Sequence, residues 1–180
     1  MKIETVYEIE LKGILTKEQY EKLLLELQKK LKQINEEVIH TTRYGPGDIR
    51  FRHSDKTNEY VEKEGDSTCI SRRETRKPFL SKKHLDVAEQ KHIASGAKAF
   101  PPWVKHKHEF EYVIGGQTYV VCLQDIKNFA YIMEAEMLSK KDNPKEHEPN
   151  LRKIFKELGV EPINPKDFSK RIEEYIAKNK

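Results

Sequence analysis

The most regular feature of the sequence is an alternation of charged and apolar residues. In Glu8-Ile9-Glu10-Leu11-Lys12, charged side chains occupy every second position. Successive side chains of a β-strand point to opposite faces, so a period of two predicts a strand with one charged and one apolar face. Alternation, β-branched residues and turn signals together predict eight strands, within Tyr7–Gly13, Glu37–Tyr44, Asp48–His53, Glu59–Lys63, Thr68–Lys77, Trp103–Ile114, Thr118–Leu123 (reaching Asp125) and around Glu134 and Glu136.

Four other stretches have helical features. Thr16-Lys17-Glu18-Gln19 has the residues of a capping box, and the apolar residues from Tyr20 to Ile34 recur at helical spacing over roughly five turns. Asn164 followed by Pro165 is a strong helix start. We therefore expect helices after Thr16, over Ser81–Ser95, over Asn150–Leu158 and after Asn164, with Asp142–Pro149 as a polar loop.

The composition is that of a highly charged, folded protein. Of the 180 residues, 36% are apolar and 36% are charged, and the net charge is only +4. This is too charged for a lipid-facing protein and too apolar for a disordered one. The length allows a sizeable core, and we expect residues 1–180 to form a single domain that includes the helices of residues 150–180.

The cysteines and the absence of targeting signals bear on where in the cell the protein is expected. Cys69 and Cys122 are isolated, which favours two small buried apolar residues over a disulfide or a zinc site. The sequence contains no apolar run long enough for a membrane helix, and Met1–Val6 lacks the core of a signal peptide. We therefore expect a cytoplasmic protein with no membrane partner.

The charged faces of the predicted strands allow two arrangements. Either an open sheet exposes its charged face to water, or the apolar faces lie outward beneath the helices and the charged faces line a shared interior. The pattern alone does not decide between them. Many like charges in an interior would be too costly without a matching ligand. The basic residues match a polyphosphate, and the paired carboxylates match Mg²⁺ or Mn²⁺ bridging it.

The order of the motifs resembles that of the CYTH domain, the triphosphate tunnel metalloenzymes, a family named for class IV adenylate cyclase and thiamine triphosphatase. Glu8-Ile9-Glu10-Leu11-Lys12 is similar to its ExExK signature. Further matches follow in order along nearly the whole chain: Arg50-Phe51-Arg52 with an RxR strand, Glu62-Lys63-Glu64-Gly65 with a lysine-glycine strand end, Ser71-Arg72-Arg73-Glu74 with an SRxE strand, Lys105-His106-Lys107 with a KxR strand, Asp125 with a late aspartate, and Glu134-Ala135-Glu136 with a closing ExE strand. Each motif is short, but their ordered succession is specific.

The resemblance implies an α+β fold in which a closed antiparallel β-barrel, the triphosphate tunnel, has a charged interior and helices packed outside. It implies catalytic roles for Glu8, Glu10 and Lys12. The metal ligands for Mg²⁺ or Mn²⁺ would be Glu8, Glu10, Asp125, Glu134 and Glu136. The residues that bind the phosphate oxygens of the substrate would be Lys12, Arg50, Arg52, Lys63, Arg72, Lys105 and Lys107.

Two positions depart from the family pattern. Lys107 stands where an arginine is usual, which gives a point charge in place of a bidentate fork. Asn128-Phe129-Ala130 replaces the glycine-bearing turn that precedes the closing glutamates, so we expect this loop to differ.

Other polar residues have weaker claims to a site. His106 and His108 have a spacing that could suit zinc, but their strand parity is opposite to that of Lys105 and Lys107, so we expect surface histidines. Glu109 and Glu111 share the lysine parity and are expected beyond the tunnel. Arg76 fits an inner position or the rim.

The function that follows is that of a metal-dependent enzyme acting on a triphosphate such as tripolyphosphate, ATP or thiamine triphosphate. Hydrolysis is favoured because it needs no dedicated base-binding pocket. The nearest alternative is cyclisation of ATP to cAMP and pyrophosphate. An alternative of another class is a non-catalytic binding module for polyphosphate or RNA ends, which has less reason to keep four carboxylates beside the cations.

Overall fold

The structure is a computed structural model that describes residues 2–179. Within that range no helix combines the length and the apolar character needed to span a bilayer. The strands are β1 (Glu4–Leu15), β2 (Lys32–Gly45), β3 (Asp48–His53), β4 (Asn58–Glu64), β5 (Ser71–Pro78), β6 (Lys98–Ala99), β7 (Trp103–Ile114), β8 (Gln117–Ile126) and β9 (Ala130–Ser139). The helices are α1 (Lys17–Lys30), α2 (Lys82–Ala94), α3 (Pro144–Glu157) and α4 (Pro165–Lys178).

Eight of these strands close into an antiparallel barrel. Their order around the barrel is β3, β4, β5, β1, β9, β8, β7 and β2, and pairing between β2 and β3 completes the ring. The short strand β6 adds to the end of β2, where Tyr44 and Gly45 pair with it. The predicted α+β fold, a closed antiparallel barrel with helices outside, is confirmed. That residues 1–180 form a single domain stays a prediction.

On β1 the barrel wall separates charged from apolar side chains, as the alternation requires. Ile9 and Leu11 are 0% and 5% exposed and lie in the largest hydrophobic core, together with Leu27 of α1 and Phe155 of α3. Their neighbours in sequence, the glutamates and the lysine of the signature, line the barrel interior. Burial of the outer face beneath two helices therefore fixes the charged face inside.

On β3 the same division recurs under a different helix. Phe51 packs with Tyr44 of β2 and Leu85 of α2 in a second core, and its ring meets those of Tyr44 and Tyr60 edge to face. Arg50, next to Phe51 in sequence, lines the interior. Of the two arrangements that the sequence allowed, the structure therefore adopts the one in which the charged faces line a shared interior.

Two helix boundaries differ from the sequence prediction. The first helix ends at Lys30 instead of continuing to Ile34, because β2 begins at Lys32 and pairs with β7 from that residue on. Ile34 lies on this strand and is 45% exposed. The segment predicted as a polar loop forms the start of α3, which tolerates Pro144 because the first residue of a helix needs no N–H donor.

The turns on either side of β8 use residues that accept a left-handed backbone. Gly115 and Gly116 have φ values of 60° and 75° and join β7 to β8 in the hairpin that the sequence predicted. Asn128 has a φ of 62° between β8 and β9. Asparagine is one of the few residues other than glycine that adopt this conformation readily. The turn that leads to the closing glutamates is therefore made without a glycine.

The two cysteines lie in different surroundings. Cys122 is buried on β8, as predicted. Cys69 is exposed, so the prediction that both cysteines are buried is wrong for this residue. It lies in the connection between β4 and β5, outside the alternating strands that fill the cores.

The outer core on β3 gives a prediction about stability. Phe51→Ala should lower the free energy of unfolding by about 3–5 kcal/mol, because truncating a buried phenylalanine loses apolar burial and leaves a cavity. Leu80→Ala, at an exposed leucine, should change it by less than about 0.5 kcal/mol. Urea unfolding of the three proteins measures both values. Similar stabilities for Phe51→Ala and Leu80→Ala would contradict the outward packing of Phe51.

Candidate active site

The barrel encloses a cavity of about 110 Å³ that all eight of its strands line. One water needs roughly 10–15 Å³, so the cavity has room for several waters or a polar ligand. Nine basic and five acidic side chains line it, an excess of four positive charges that equals the net charge of the whole chain. These side chains are Glu8, Glu10, Lys12, Arg43, Asp48, Arg50, Arg52, Lys63, Arg72, Arg76, Lys105, Lys107, Glu134 and Glu136.

Three carboxylates converge on one side of this cavity. Glu8, Glu10 and Glu136 each offer an oxygen within 4.8 Å of the others. The register of β1 with β9 explains the approach, because Glu10 lies directly opposite Glu136 and Lys12 lies opposite Glu134. Residues more than a hundred positions apart in the sequence are thus held as cross-strand neighbours.

The ionisation of these carboxyls is strongly perturbed. Burial, together with the negative charges of Glu8 and Glu134, raises the pKa of Glu136 from 4.5 to about 7, although Lys107 opposes this. Burial also acts to raise the pKa of Glu134, but Lys12 and Lys105 outweigh it and lower that pKa to about 2. Glu136, unlike Glu134, therefore has too little positive charge around it to favour ionisation.

Two lysines partly neutralise the carboxylates. Lys63 forms a buried ion pair with Glu8, and Lys12 pairs with Glu10 and lies 3.2 Å from Glu134. Burial by itself would raise the pKa of Glu8, but the ammonium groups of Lys63 and Lys12 hold it well below its usual value. Glu8, Glu10 and Lys12, together with Lys63, thus form one compact charged unit in which each carboxylate has a cation in reach.

Asp48 organises three arginines in another part of the lining. Arg50 donates to it through Nε and Nη2, at 2.8 and 2.6 Å, in a bidentate pair. Arg72 donates to the same carboxylate at 2.9 Å, and Arg43 lies 3.3 Å from it. Burial opposes ionisation of Asp48, but these guanidinium groups hold its pKa far below its usual range.

Some of the basic groups in the lining are not fully paired. The buried Nε atoms of Arg43, Arg52 and Arg72 have no hydrogen-bond partner among the described residues. Burial and the positive charges of Arg52 and Lys107 lower the pKa of Lys105 from 10.5 to about 7. These groups indicate a site that is short of negative charge, since buried donors are normally satisfied.

All seven basic residues predicted to bind phosphate line this cavity, and so do four of the five predicted metal ligands. Asp125 does not, so its placement with the glutamates is wrong. On β8 the neighbouring residue Gln124 faces the interior, contacts Glu134 and accepts from Lys105 at 3.1 Å. Asp125 has the opposite parity and lies on the outer side of β8. There its negative charge adds to the effect of burial and raises the pKa of the phenol of Tyr20.

Several site residues were not among the predicted ones. Asp48 shares its strand face with Arg50, so the alternation could have identified it. Arg43 lies opposite Arg50 on β2, a pairing that only the closed ring defines. Glu74 is fully buried and contacts Lys63 and Arg76, and Arg76 itself lies inside.

The remaining weak candidates are placed as follows. Glu109 bonds to Lys107 at 2.5 Å, so it lies nearer the tunnel than expected. Glu111 pairs with Lys32 at the surface. His106 and His108 contact Glu36 on the outer side of the barrel, as the parity argument predicted. Only His106 is a surface residue, because His108 is 4% exposed, so the expectation of a surface histidine is wrong for His108.

Helix α4 lies across one end of the barrel. Its residues Phe168, Ser169 and Ile172 line the cavity although the helix is outside the ring of strands. The helix begins as predicted, with Asn164 accepting from the backbone of Lys166 at 2.9 Å. One end of the charged interior is thus narrowed by partly apolar side chains.

The carboxylate cluster suits a hard divalent cation. Glu8, Glu10 and Glu136 offer only oxygen donors, the type that Mg²⁺ and Mn²⁺ prefer. A cation would also supply the positive charge that Glu136 lacks. The residues present therefore fit such an ion, with Lys12 and Lys63 as competitors for the same oxygens.

The sequence matches no protein-family model and no curated protein. Solved structures do match. The PH1819 protein of Pyrococcus horikoshii has a TM-score of 0.65 at 22% identity, over 86% of this chain and 92% of that chain. HpAC1 of Hippeastrum, a candidate adenylyl cyclase with a reported dominant triphosphatase activity, has a TM-score of 0.59 at 11% identity, over 88% and 90%. A chain of the Schizosaccharomyces pombe Mediator head module has a TM-score of 0.61 at 12% identity, over 87% and 97%.

These likenesses confirm that the chain has a CYTH-type fold, as the order of its motifs predicted. At identities this low they show the fold alone. A chain of a Mediator assembly shares the fold with a candidate enzyme, so the barrel does not by itself define an activity. The function must be argued from the residues inside it.

The raised pKa of Glu136 gives a prediction about pH. A carboxyl with a higher pKa in the folded state contributes its full stability below the unfolded pKa and loses it as pH rises through the folded pKa. Relative to Glu136→Gln, metal-free wild type should therefore lose roughly 3 kcal/mol of unfolding free energy as pH rises from about 4 to 8. Urea unfolding with a chelator at several pH values measures this difference.

The exposed Glu64 on β4 provides the control. Glu64→Gln removes an exposed carboxylate that water screens, so its stability difference from wild type should change far less over the same pH range than that of Glu136→Gln. If the curve for Glu136→Gln also runs parallel to wild type, the carboxyl of Glu136 is not held in the environment described.

Proposed function

We propose that this protein is a divalent-metal-dependent enzyme that hydrolyses a triphosphate-containing substrate. The observation that carries the proposal is the juxtaposition, in one enclosed cavity, of three carboxylates within 4.8 Å of one another and an excess of basic side chains. A polyanion bridged by a divalent cation has charges of both signs in the matching arrangement. We extend the proposal to a cytoplasmic setting, which its free thiols suit.

The acidic side of the cavity would hold the metal ion. Glu8, Glu10 and Glu136 are the proposed ligands, and Glu134, paired with Lys12, lies beside them. Mg²⁺ or Mn²⁺, when bound, neutralises phosphoryl oxygens and makes the phosphorus easier to attack. Ion pairs to Lys63 and Lys12 keep the carboxylates of Glu8 and Glu10 compensated when no metal is bound.

The basic residues of the lining would bind the phosphate chain. Arg50, Arg52 and Arg72 present guanidinium groups that suit phosphate oxygens, and Lys105 and Lys107 add point charges. Phosphoryl transfer depends mainly on positioning and on neutralising charge that develops in the transition state. A rigid barrel wall fixes these groups before the substrate arrives, so little reorganisation is needed during the reaction.

Hydrolysis is preferred to the two alternatives on specific grounds. Cyclisation of ATP needs a ribose hydroxyl held in line with the α-phosphate, whereas hydrolysis needs only water and the phosphate-binding lining. A passive polyphosphate binder needs the cations, but the carboxylates would weaken its hold on an anion. HpAC1, which shares the fold, is described both as a candidate cyclase and by a triphosphatase activity, so cyclisation is the second candidate.

A product assay separates these functions. Purified protein is incubated with tripolyphosphate, ATP or thiamine triphosphate, with Mg²⁺, Mn²⁺ or a chelator, and phosphate and cAMP are measured. We expect metal-dependent phosphate release that Glu10→Gln abolishes and Glu64→Gln leaves unchanged. Formation of cAMP and pyrophosphate without phosphate would favour the cyclase. Binding without any product would favour the binding module.

A substitution of Arg52 tests the proposed binding of phosphate by the basic residues. Arg52→Ala should weaken tripolyphosphate binding by about 1.5–3 kcal/mol, which is roughly 10- to 150-fold, because a charge-assisted hydrogen bond to the ligand is lost. Arg73→Ala removes an exposed arginine and should leave the affinity unchanged. Titration calorimetry of both folded variants measures the effect. Equal affinities for the two variants would remove Arg52 from the proposed site.

A further inference from the structure

A second group of metal-ligand side chains lies on the outside of the barrel. Glu36 of β2 and His106 and His108 of β7 each offer a ligand atom within 4.8 Å of the others. One oxygen of Glu36 lies 3.0 Å from His106 Nε2, and its other oxygen lies 3.8 Å from His108 Nδ1. The three side chains thus surround one small volume of space.

The strands explain why these side chains converge. His106 and His108 are two residues apart, so they share the outer face of β7, while Lys105 and Lys107 point into the barrel. Glu36 lies directly opposite His108. The register between β2 and β7 shifts between Gln33 and Asn35, and such irregularities re-aim the side chains beside them.

We propose that Glu36, His106 and His108 bind a first-row transition-metal ion such as Zn²⁺ on the outer face of the barrel, separately from the triphosphate cavity. Two imidazoles and one carboxylate are a common donor set for such an ion, and they leave a fourth position for water. Histidine ligands distinguish this site from the all-oxygen cluster inside, which suits Mg²⁺ or Mn²⁺.

The ligands are already close to the required geometry. Zinc bonds of about 2.0–2.2 Å in a tetrahedral arrangement place neighbouring ligand atoms roughly 3.3 Å apart. The observed separations of 3.0 and 3.8 Å lie on either side of that value but involve different oxygens of Glu36, so the carboxylate must turn to present one oxygen to the metal. Small rotations of the half-exposed Glu36 and His106 side chains therefore suffice, while His108 is held in the wall at 4% exposure.

Neighbouring groups both favour and oppose metal binding at this site. The barrel wall buries His108 and so holds its ring in place beside Glu36, which favours metal binding. The ammonium of Lys56 donates to the backbone carbonyl of Glu36 at 2.6 Å and opposes a cation nearby. This lysine is exposed and its side chain is long, so the ammonium can exchange its bonds to Asn35 and Glu36 for water while the three ligands stay in place.

Zinc and cobalt binding to the purified, metal-stripped protein tests the proposal. Zinc affinity is measured by competition with a chromophoric chelator, and Co²⁺ reports nitrogen ligands through its visible spectrum. We expect one zinc equivalent whose affinity falls at least tenfold in His106→Ala and in Glu36→Gln. Both residues are substantially exposed, so these variants should fold. The Co²⁺ bands should be lost in His106→Ala.

Two controls separate this site from others. Glu10→Gln, which removes a carboxylate of the cluster inside the barrel, and His84→Ala, at an exposed histidine of α2, should bind zinc as wild type does. If wild type binds no zinc, or if His106→Ala binds it with unchanged affinity, the proposal fails. It also fails if Glu10→Gln alone abolishes binding, because the zinc ion would then lie in the cavity.

Discussion

The structure depends on how fourteen charged side chains are accommodated inside one closed barrel. Charges removed from water are costly unless opposite charges or a ligand compensate them. The carboxylates of Glu8 and Glu10 are paired with lysines, and that of Asp48 with arginines. Compensation is incomplete at Glu136 and Lys105, whose pKa values both move to about 7. These are the groups that a metal ion and an anion would satisfy.

The apolar outer face makes this interior possible. Residues such as Ile9 and Phe51 bury the outside of the barrel beneath helices, and this burial supplies the stability that the charged lining does not. Because successive strand residues alternate, each buried apolar residue directs its charged neighbours inward. The apolar core and the proposed site therefore lie on opposite faces of the same strands, and substitutions on the two faces should have separable effects.

Much of this arrangement could be predicted from local pattern. The parity of Glu8, Glu10 and Lys12 on one strand was enough to place them together, and the same reasoning extends to Asp48. What could not be predicted depends on pairing between strands. Asp125 matched the order of the family motifs, but β8 has apolar residues on both faces, so its own alternation does not show which face lies inside. Its pairing with β7 turns Asp125 outward and places Gln124 inside. The end of α1 was likewise decided by the pairing of β2 with β7, which local helical spacing does not encode.

The most direct test of the central claim is a crystal structure of the protein with Mn²⁺ and tripolyphosphate. The anomalous scattering of manganese locates the ion without assumptions about its ligands. The account predicts a manganese peak among the carboxylates of Glu8, Glu10 and Glu136, with the phosphate chain against Arg50 and Arg52. A manganese ion and tripolyphosphate bound only on the outer surface, with the barrel interior filled by water, would contradict it.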